Sequence, residues 1–253
     1  MSTNYNRLID NLDILELYGI RDNLNTYLDL INDGSKKVID ALYELSEKEI
    51  DLRRKRAISA CVKVANFPFY KTIDDFDFNY QPSINKKQIE DFTSLRFAEE
   101  SKNLIFLGSS GTGKTHLATA IGIEAAINRH SVYFISCQKL IEQLVRAERE
   151  NRLDKRLKQI NRYSLLIIDE IGYINFDQKS ANLFFQLVSL RYEKRSLIIT
   201  SNKNLSKWHE IFNDPIIANA ILDRLLHHSE IVNIVGPSYR IKDILNTLDE
   251  GTT

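Results

Sequence analysis

The sequence predicts an α/β fold in which a parallel sheet is flanked by helices and is preceded by a small helical domain. From Asn103 onward, short apolar runs rich in β-branched residues alternate with amphipathic helical stretches, a pattern typical of strands joined by crossover helices. A glycine-rich loop follows the first of these runs and leads into a helix. Before Asn103, glycine occurs only at Gly19 and Gly34, and apolar residues recur at helical spacing, which favours a helical domain.

The predicted helical domain covers residues 1–66 and contains three or four helices. Its apolar residues fall on three helical faces, formed by Leu8, Leu12 and Leu15, by Leu24, Leu28 and Ile31, and by Val38, Leu42 and Leu45. The stretch FPFYKTIDDFDFNYQPSIN comes next, and its two prolines and many aromatic residues argue against a helix. Ser83 is then predicted to cap a helix that runs to about Glu100.

Five apolar runs supply the predicted strands of a second domain, which covers residues 67–253. In chain order they are NLIFL, VYFIS, SLLIID, SLIITS and EIVNIV. Open α/β sheets bind ligands at the carboxyl ends of their strands. The residues that follow these runs are therefore the first candidates for a functional site.

The composition is that of a globular protein: 43% of the 253 residues are hydrophobic, 27% are charged, and the formal net charge is zero. No apolar run approaches the ~20 residues that span a bilayer, and the polar start MSTNYNR does not resemble a signal peptide. Cys61 and Cys137 lack the spacing of metal ligands, so we expect reduced thiols in a cytoplasmic protein without a membrane contact. Any affinity for nucleic acid must come from local basic patches.

The loop after the first strand matches the Walker A pattern, Gly108-x-x-x-x-Gly113-Lys114-Thr115. Its glycines let backbone N–H groups close around phosphates, and the following helix adds the positive end of its dipole. We expect Lys114 to reach the β- and γ-phosphates of a nucleotide and the Thr115 hydroxyl to bind Mg²⁺. The alternative is a fortuitous glycine-rich turn. The predicted cofactor-binding residues of the loop are Gly108, Ser109, Ser110, Gly111, Thr112, Gly113, Lys114, Thr115 and His116, with the His116 side chain expected to pack.

Two acids end the third predicted strand, SLLIIDE. Asp169 is expected to hold Mg²⁺, directly or through water. Glu170 is the candidate base that accepts a proton from water attacking the γ-phosphate. Asn202 ends the neighbouring strand and is predicted to bind that water or the γ-phosphate, with capping of the following helix as the alternative. An acid beside the metal ligand favours hydrolysis over transfer to a small molecule.

Four longer stretches carry a resemblance to a known family: NFPFYKTIDDFDFNYQPSINKKQIEDFTSLRF, GTGKTHLATAIGIEA, DEIGYINFDQKSANLFFQLVSLRYEKRSLIITSNK and AILDRLLHHSEIVNIVGPSYRIK. Over about residues 60 to 242, the sequence resembles the IstB family. These are the ATPase helpers of the IstA/IstB type of transposon, within the AAA+ group that includes the DnaC helicase loaders. The resemblance implies the AAA+ form of the P-loop NTPase fold.

The resemblance also assigns residues that local spacing does not. Arg224 matches the arginine finger, which reaches the nucleotide of a neighbouring subunit, and Arg240 matches the sensor-2 arginine of its own subunit. Phe76 lies in the segment that often lines the adenine pocket. An ion pair between Arg224 and Asp223 is the alternative for that arginine, and Arg191 and Arg195 are rival fingers.

Two basic stretches are candidates for DNA binding. DLRRKRAISACVK contains Arg53, Arg54 and Arg56, and VRAERENRLDKRLKQINR contains Arg149, Arg152 and Arg156, which are predicted to share one helical face. The alternative for both is a solvated helix surface. We expect contacts to phosphates without much sequence preference.

Together these observations predict a Mg²⁺-dependent ATPase that assembles as an oligomer on duplex DNA and acts with a transposase of the IstA type. A replicative helicase loader similar to DnaC is the first alternative. A DNA-shaping scaffold, in which ATP is only a slow switch, is the second.

Overall fold

The computed structural model describes residues 3–241, and residues 242–253 of the predicted second domain lie outside the described part. The chain divides into two compact units between Ala60 and Cys61. The first contains α1 (Thr3–Ile14), α2 (Tyr18–Asn32) and most of α3 (Val38–Val64). No helix of the described residues is both long enough and apolar enough to cross a membrane.

The second unit alternates strands and helices after two short helices. In order it contains α4 (Lys86–Thr93), α5 (Arg96–Glu99), β1 (Asn103–Gly108), α6 (Lys114–Ile127), β2 (Val132–Ser136), α7 (Cys137–Arg149), α8 (Leu153–Asn161), β3 (Leu165–Ile171), α9 (Gln178–Arg191), β4 (Ser196–Ser201), α10 (Trp208–Phe212), α11 (Pro215–Leu226) and β5 (Ser229–Ile234). The five predicted strands are therefore present.

All neighbouring strands are parallel, and their order in the sheet is β2-β3-β4-β1-β5. The side chains of β3 alternate between two cores: Leu166 and Ile168 pack with α7, α9 and α11, whereas Leu165 and Ile167 pack with α4 and α6. Burial on both faces explains why the strands are continuous apolar runs. The predicted α/β class is confirmed.

In the first unit, the predicted apolar face of α2 is correct, but those of α1 and α3 are not. The chain leaves α1 at Ile14, so Leu15 is exposed. In α3 the buried residues are Ala41, Leu45 and Glu49, spaced by four. Val38 and Leu42, from the predicted face, are 58% and 57% exposed.

A buried carboxylate explains which face of α3 turns inward. Glu49 Oε2 accepts a 2.6 Å hydrogen bond from the Gly19 N–H, at the start of α2. A Cβ at Gly19 would lie 2.7 Å from Glu49 Cα, so only glycine permits this approach. The polar contact fixes the rotation of α3, and apolar spacing alone did not reveal it.

The predicted helix from Ser83 to Glu100 is also wrong at both ends. Asn85 caps α4, because its side chain accepts from the N–H groups of Lys87 and Gln88, whereas the Ser83 hydroxyl accepts from Val235 N–H. The helix stops at Thr93, and Leu95 has a left-handed φ of 62°, which an α-helix does not allow.

Candidate active site

The phosphate loop joins the end of β1 to the start of α6, and two of its glycines are required by close contacts. Gly113 has φ 96°, and a Cβ there would lie 2.5 Å from Phe76 Cε2. Gly108 has φ 152°, and its Cβ would lie 2.4 Å from the carbonyl oxygen of Ile234 in β5. Neither position can hold a side chain without moving its neighbours.

Hydrogen bonds from side chains organise the rest of the loop. The Lys114 ammonium donates to the carbonyl oxygens of Gly108 at 2.7 Å and Ser109 at 2.6 Å. The buried Thr112 hydroxyl also donates to Ser109 O, at 2.9 Å. Burial lowers the pKa of Lys114, an effect that the nearby Asp169 carboxylate opposes. The Lys114 ammonium is thus held by carbonyl oxygens of the same loop whose backbone N–H groups would face the phosphates.

Asp169 lies at the centre of the site and is 6% exposed. Its Oδ1 accepts from the Thr115 hydroxyl at 3.0 Å and from the Thr200 hydroxyl at 2.5 Å. Burial raises the pKa of Asp169, while the hydrogen bonds from Thr200 and Thr115 and the charge of Lys114 act to lower it. A hydroxyl and a carboxylate on adjoining elements form the all-oxygen donor set that suits Mg²⁺.

Glu170 turns out of the sheet. Its φ is 64°, a left-handed value that a residue with a Cβ rarely adopts, and its side chain is exposed whereas Asp169 and Ile171 are buried. The pairing of β3 with β4 is irregular between Ile168 and Ile171. This irregularity directs the carboxylate of Glu170 towards the cavity beside the loop.

The cavity encloses about 260 Å³. Its lining combines loop residues, acids and aromatic rings: Lys71, Asp75, Phe76, Asp77, Ser110, Gly111, Gly113, Lys114, Thr115, His116, Glu170, Tyr173, Thr200, Tyr239 and Arg240. The structure therefore brings together most of the predicted nucleotide and metal residues. Ser109 and Thr112 do not line the cavity, but they hold the loop together, because Ser109 O accepts hydrogen bonds from Lys114 and Thr112.

Aromatic side chains form one wall of the cavity. The buried Phe76 ring lies 5.2 Å from the His116 ring and 5.7 Å from the Tyr239 ring, centroid to centroid. His116 Nε2 is 2.9 Å from Thr72 O, and burial lowers the pKa of His116. The Tyr239 N–H donates to Gly111 O at 2.8 Å. The segment after β5 is thus attached directly to the phosphate loop.

The four arginines that the sequence singles out occupy different environments. Arg240 lines the cavity, and its Nη1 is 3.3 Å from Ser110 Oγ. Arg224 lies outside the cavity, with its guanidinium 4.5 Å from the centre of the Phe185 ring and no ion pair to Asp223 in the described part of the chain. Arg191 is 1% exposed and donates to the carbonyl oxygens of Tyr163, Ser164 and Ser196. Arg191 therefore joins the starts of β3 and β4 and cannot reach a neighbouring subunit. Arg195 is partly exposed.

Asn202 follows β4 but does not line the cavity. Its Oδ1 is buried and has no hydrogen-bond partner among residues 3–241. Asn204, and not Asn202, precedes the next helical turn, where no side chain makes a cap hydrogen bond. The predicted contact of Asn202 with water or phosphate stays a prediction.

Arg149 and Arg152 are exposed and Arg156 is partly buried, and these three predicted DNA-binding arginines do not share one helical face. Arg149 ends α7, Asn151 has a left-handed φ of 53°, and Arg152 precedes α8. Arg152 and Arg156 line a groove with Arg146 and Lys155, in which Arg152 pairs with Glu150. The predicted continuous face fails because Asn151 breaks the helix between the arginines.

The second basic stretch lies on α3, in the first unit. Arg53 donates to Glu49 at 2.7 Å. The Arg56 guanidinium lies 4.7 Å from the centre of the Tyr18 ring, and Arg54 is exposed. Two of these three arginines thus also hold their own unit together.

A separate polar cluster lies on the surface. The ligand atoms of Glu193, His227 and His228 are within 4.8 Å of one another. His227 Nδ1 already has a partner, the Tyr192 hydroxyl at 2.7 Å, and all three side chains are about half exposed, at 51%, 53% and 46%. These contacts make it an exposed polar cluster whose members already contact one another or Tyr192.

Sequence reasoning missed two components of the site. Thr200 lies inside the predicted strand SLIITS and is not a predicted site residue, although its hydroxyl contacts Asp169. Tyr239 lies in the last stretch that carries the resemblance and is not a predicted site residue, although its ring forms part of the wall. Both roles depend on contacts between segments far apart in sequence, so only their positions near the carboxyl ends of strands could have indicated them.

Comparison of the sequence with known proteins identifies a family. Residues 10–247 match the family described as IstB-like ATP binding proteins. A protein of Bacillus thuringiensis subsp. berliner, described as an ATP-binding protein of insertion sequence IS232, is 52% identical over 243 residues, which cover 96% of this chain and 97% of the relative. Its counterpart from insertion sequence IS21 of Pseudomonas aeruginosa is 46% identical over 78% of this chain and 74% of the relative.

Solved structures agree on the fold. The AMPPCP-bound DnaA of Aquifex aeolicus has a TM-score of 0.55 at 21% identity, covering 71% of this chain and 55% of that one. DnaI has a TM-score of 0.54 at 22% identity, covering 66% and 89%. At this identity the similarity establishes the P-loop AAA+ fold, as the resemblance implied.

Proposed function

Because this chain belongs to the family of IstB-like ATP binding proteins, we propose that it binds ATP with Mg²⁺, hydrolyses it to ADP and phosphate, and serves as a DNA-binding helper of transposition. The contact between Thr115 and Asp169 carries the proposal, because it joins the loop that would hold phosphates to the strand that supplies the acids. The protein would assemble on duplex DNA as an oligomer, in the cytoplasm, and act with a transposase of the IstA type.

Binding of ATP would rest on the loop and on the start of α6. Backbone N–H groups and the helix dipole would face the phosphates, and the Lys114 ammonium would exchange its carbonyl partners for phosphate oxygens. Thr115 and Asp169 would hold Mg²⁺. When bound, the ion would neutralise charge on the β- and γ-phosphates. The rings of Phe76 and Tyr239 offer an apolar wall for the adenine of ATP.

Hydrolysis would use Glu170 as the general base. Its exposed carboxylate lines the same cavity as Lys114 and would accept a proton as water attacks the γ-phosphorus and the bond to the bridging oxygen breaks. ADP leaves with that oxygen. Asn202 would orient the attacking water, and Arg240 would contact the γ-phosphate within its own subunit.

The position of Arg224 supports an active site shared between subunits. The guanidinium lies outside the cavity of its own chain and is partly exposed, as a group acting on a neighbour must be. We propose that it stabilises charge on the transferring phosphoryl group of the next subunit.

DNA binding would use the predicted arginines at 53, 54 and 56 and at 149, 152 and 156, of which all but Arg156 are exposed. Flexible cations that contact phosphates give affinity without sequence preference. The named relatives come from insertion sequences, which favours the transposition helper over a helicase loader. The similarity to DnaI concerns the fold alone and favours neither.

One experiment tests the proposal: ATP turnover and assembly state measured without DNA, with single strands and with duplex. We expect ATP to promote assembly on duplex, with turnover highest there. Preference for single strands would instead support the helicase loader, and assembly with negligible turnover would support the scaffold. The Glu170→Gln variant controls for contaminating ATPase.

A further inference from the structure

The acids of the site depend on an irregularity between β3 and β4. Ile168 pairs with Ile199, and the next aligned pair is Ile171 with Ser201. Asp169 and Glu170 therefore lie opposite one residue of β4, Thr200. A bulge of this kind leaves ladder groups unpaired and redirects side chains, and bulges are common next to active sites.

Thr200 occupies this gap and is 1% exposed. Its hydroxyl donates to Asp169 Oδ1 at 2.5 Å and accepts from the Glu170 N–H at 2.9 Å. One hydroxyl thus satisfies a carboxylate on one side and a backbone donor on the other. The second contact bonds the N–H of the residue that has φ 64°, so it holds Glu170 in the strained conformation that exposes its carboxylate.

We propose that Thr200 is a positioning residue for ATP hydrolysis, which fixes the carboxylate of Asp169 towards the metal position and the backbone of Glu170 towards the cavity. The inference rests on the proposed ATPase function. Thr200 acts through the two acids, and neither of its hydrogen bonds involves the phosphate loop. Loss of its hydroxyl should therefore impair the chemical step more than the binding of ATP.

The neighbouring serine does not replace this contact. The Ser201 hydroxyl donates to Ile171 O at 2.7 Å, on the far side of the bulge, and so holds the strand after the acids. Thr115, the other donor to Asp169, belongs to α6 and has no hydrogen bond to Glu170. Among the described residues, the Thr200 side chain alone makes hydrogen bonds to both acids.

The test compares Thr200→Val, which keeps the shape and removes the hydroxyl, with Thr200→Ser, which restores it. Thr119→Val is the matched control, because Thr119 is also fully buried, in α6, and its hydroxyl has no partner in the described part of the chain. For each variant we would measure the ATP dissociation constant, turnover at saturating ATP, the Mg²⁺ concentration giving half-maximal turnover, and the melting temperature.

Removing the group that orients a metal ligand typically lowers activity or metal affinity by about 10–100-fold. We expect Thr200→Val to lose turnover by about that factor and to need more Mg²⁺, with ATP affinity changed less than about threefold, and Thr200→Ser to recover most of the rate. Thr119→Val should resemble the wild type in turnover, in the Mg²⁺ concentration it needs and in ATP affinity.

If the wild type hydrolyses ATP, either of two results would overturn the inference. One is turnover of Thr200→Val at the wild-type rate, and the other is an equal loss of turnover in folded Thr200→Val and folded Thr200→Ser. If Thr200→Val does not fold, Thr200→Ala, which also removes the hydroxyl, takes its place with the same criteria. An inactive wild type, in contrast, would refute the proposed function itself.

Discussion

The Thr115 hydroxyl lies 3.0 Å from Asp169 Oδ1, and this contact joins the first turn of α6 to the end of β3. Lys114, next to Thr115, and Glu170, next to Asp169, line the same cavity. Two motifs 54 residues apart therefore meet at a single polar contact, with a cation on one side of it and an exposed acid on the other. This arrangement separates binding of phosphates from activation of water, so the two can be tested by different substitutions.

Glu170→Gln should leave ATP and Mg²⁺ binding almost unchanged and reduce turnover, because the amide cannot accept the proton from water. General-base catalysis is worth roughly 10²–10⁴-fold, so we expect a loss in that range together with longer-lived DNA complexes. The measurement is steady-state turnover beside equilibrium ATP binding. Tyr173→Phe, on the same cavity wall, is the control. Turnover of Glu170→Gln at the wild-type rate would remove Glu170 as the base.

The strands and the phosphate loop could be predicted because their signals are local. Each strand is an apolar run between polar residues, and the loop is defined by the order of its glycines, Lys114 and Thr115. The α3 face and the helix cap at Ser83 could not be predicted in this way. Glu49 is fixed by the backbone of Gly19, and the Ser83 hydroxyl is used by Val235. Such contacts join distant segments, and spacing within a helix carries no information about them.

The chemical types of the site residues were predictable, whereas their geometry was not. Adjacent acids in a strand suggest two roles, but only the bulge reveals that Asp169 points inwards and Glu170 outwards. The arginines near residue 150 show the same limit, since Asn151 adopts a left-handed conformation that its residue type permits but does not require.

The arginines at the end of α7 and around the start of α8 lead to a prediction about how DNA binding depends on salt. Replacing Arg149, Arg152 and Arg156 together with glutamine should weaken binding to all duplex sequences alike, because phosphate contacts carry no sequence information. Each lost phosphate contact should reduce the slope of log affinity against log salt by about 0.9. Binding isotherms at several salt concentrations provide the measurement.

The control for this triple variant replaces three exposed lysines elsewhere with glutamine, Lys37, Lys87 and Lys207, and so changes the net charge equally. An unchanged slope in the arginine variant would mean that these residues face solvent in the complex. An equal change in both variants would indicate a general effect of charge.

The buried carboxylate of the first unit predicts a dependence of stability on pH. Burial alone would raise the pKa of Glu49, but hydrogen bonds from Arg53 and from the Gly19 backbone outweigh it, and the net effect lowers the pKa below 4.5. A carboxyl whose pKa is lower in the folded state stabilises the fold above its unfolded pKa and loses that effect as pH falls through the folded value. Glu49→Gln should therefore melt at a lower temperature than the wild type at neutral pH.

The difference in melting temperature should begin to shrink as pH falls below the ordinary pKa of glutamate, where the unfolded carboxyl takes up a proton, and should vanish once pH has fallen through the lower pKa of the folded state. Calorimetry of the full chain across pH measures it. Glu47→Gln is the matched control, since Glu47 is exposed on the same helix. A difference that stays constant with pH would show that the shape of the side chain, and not its charge, stabilises the contact.

The last prediction concerns whether subunits share the active site. An arginine finger supplied by a neighbour can be worth roughly 10³–10⁵-fold in rate. If Arg224 is that finger, Arg224→Ala should bind ATP nearly normally, because the residue lies outside its own cavity. It should nevertheless hydrolyse ATP poorly and assemble badly on DNA. Arg129→Ala, at an exposed arginine after α6, is the control, and melting temperatures show whether the lost packing of Arg224 on Phe185 harms the fold.

Mixing Lys114→Ala with Arg224→Ala tests directly whether the active site is shared between subunits. Lys114→Ala lacks the ammonium for phosphates but keeps its finger, whereas Arg224→Ala keeps its pocket. In a mixed assembly, an intact pocket from Arg224→Ala can meet an intact finger from Lys114→Ala, so two nearly inactive proteins should partly restore turnover when combined. A finger acting within its own subunit could not give this rescue. No rescue despite demonstrated co-assembly would count against Arg224 as the finger. Arg195 would then be tested next, because the buried Arg191 already donates to carbonyl oxygens at the starts of β3 and β4.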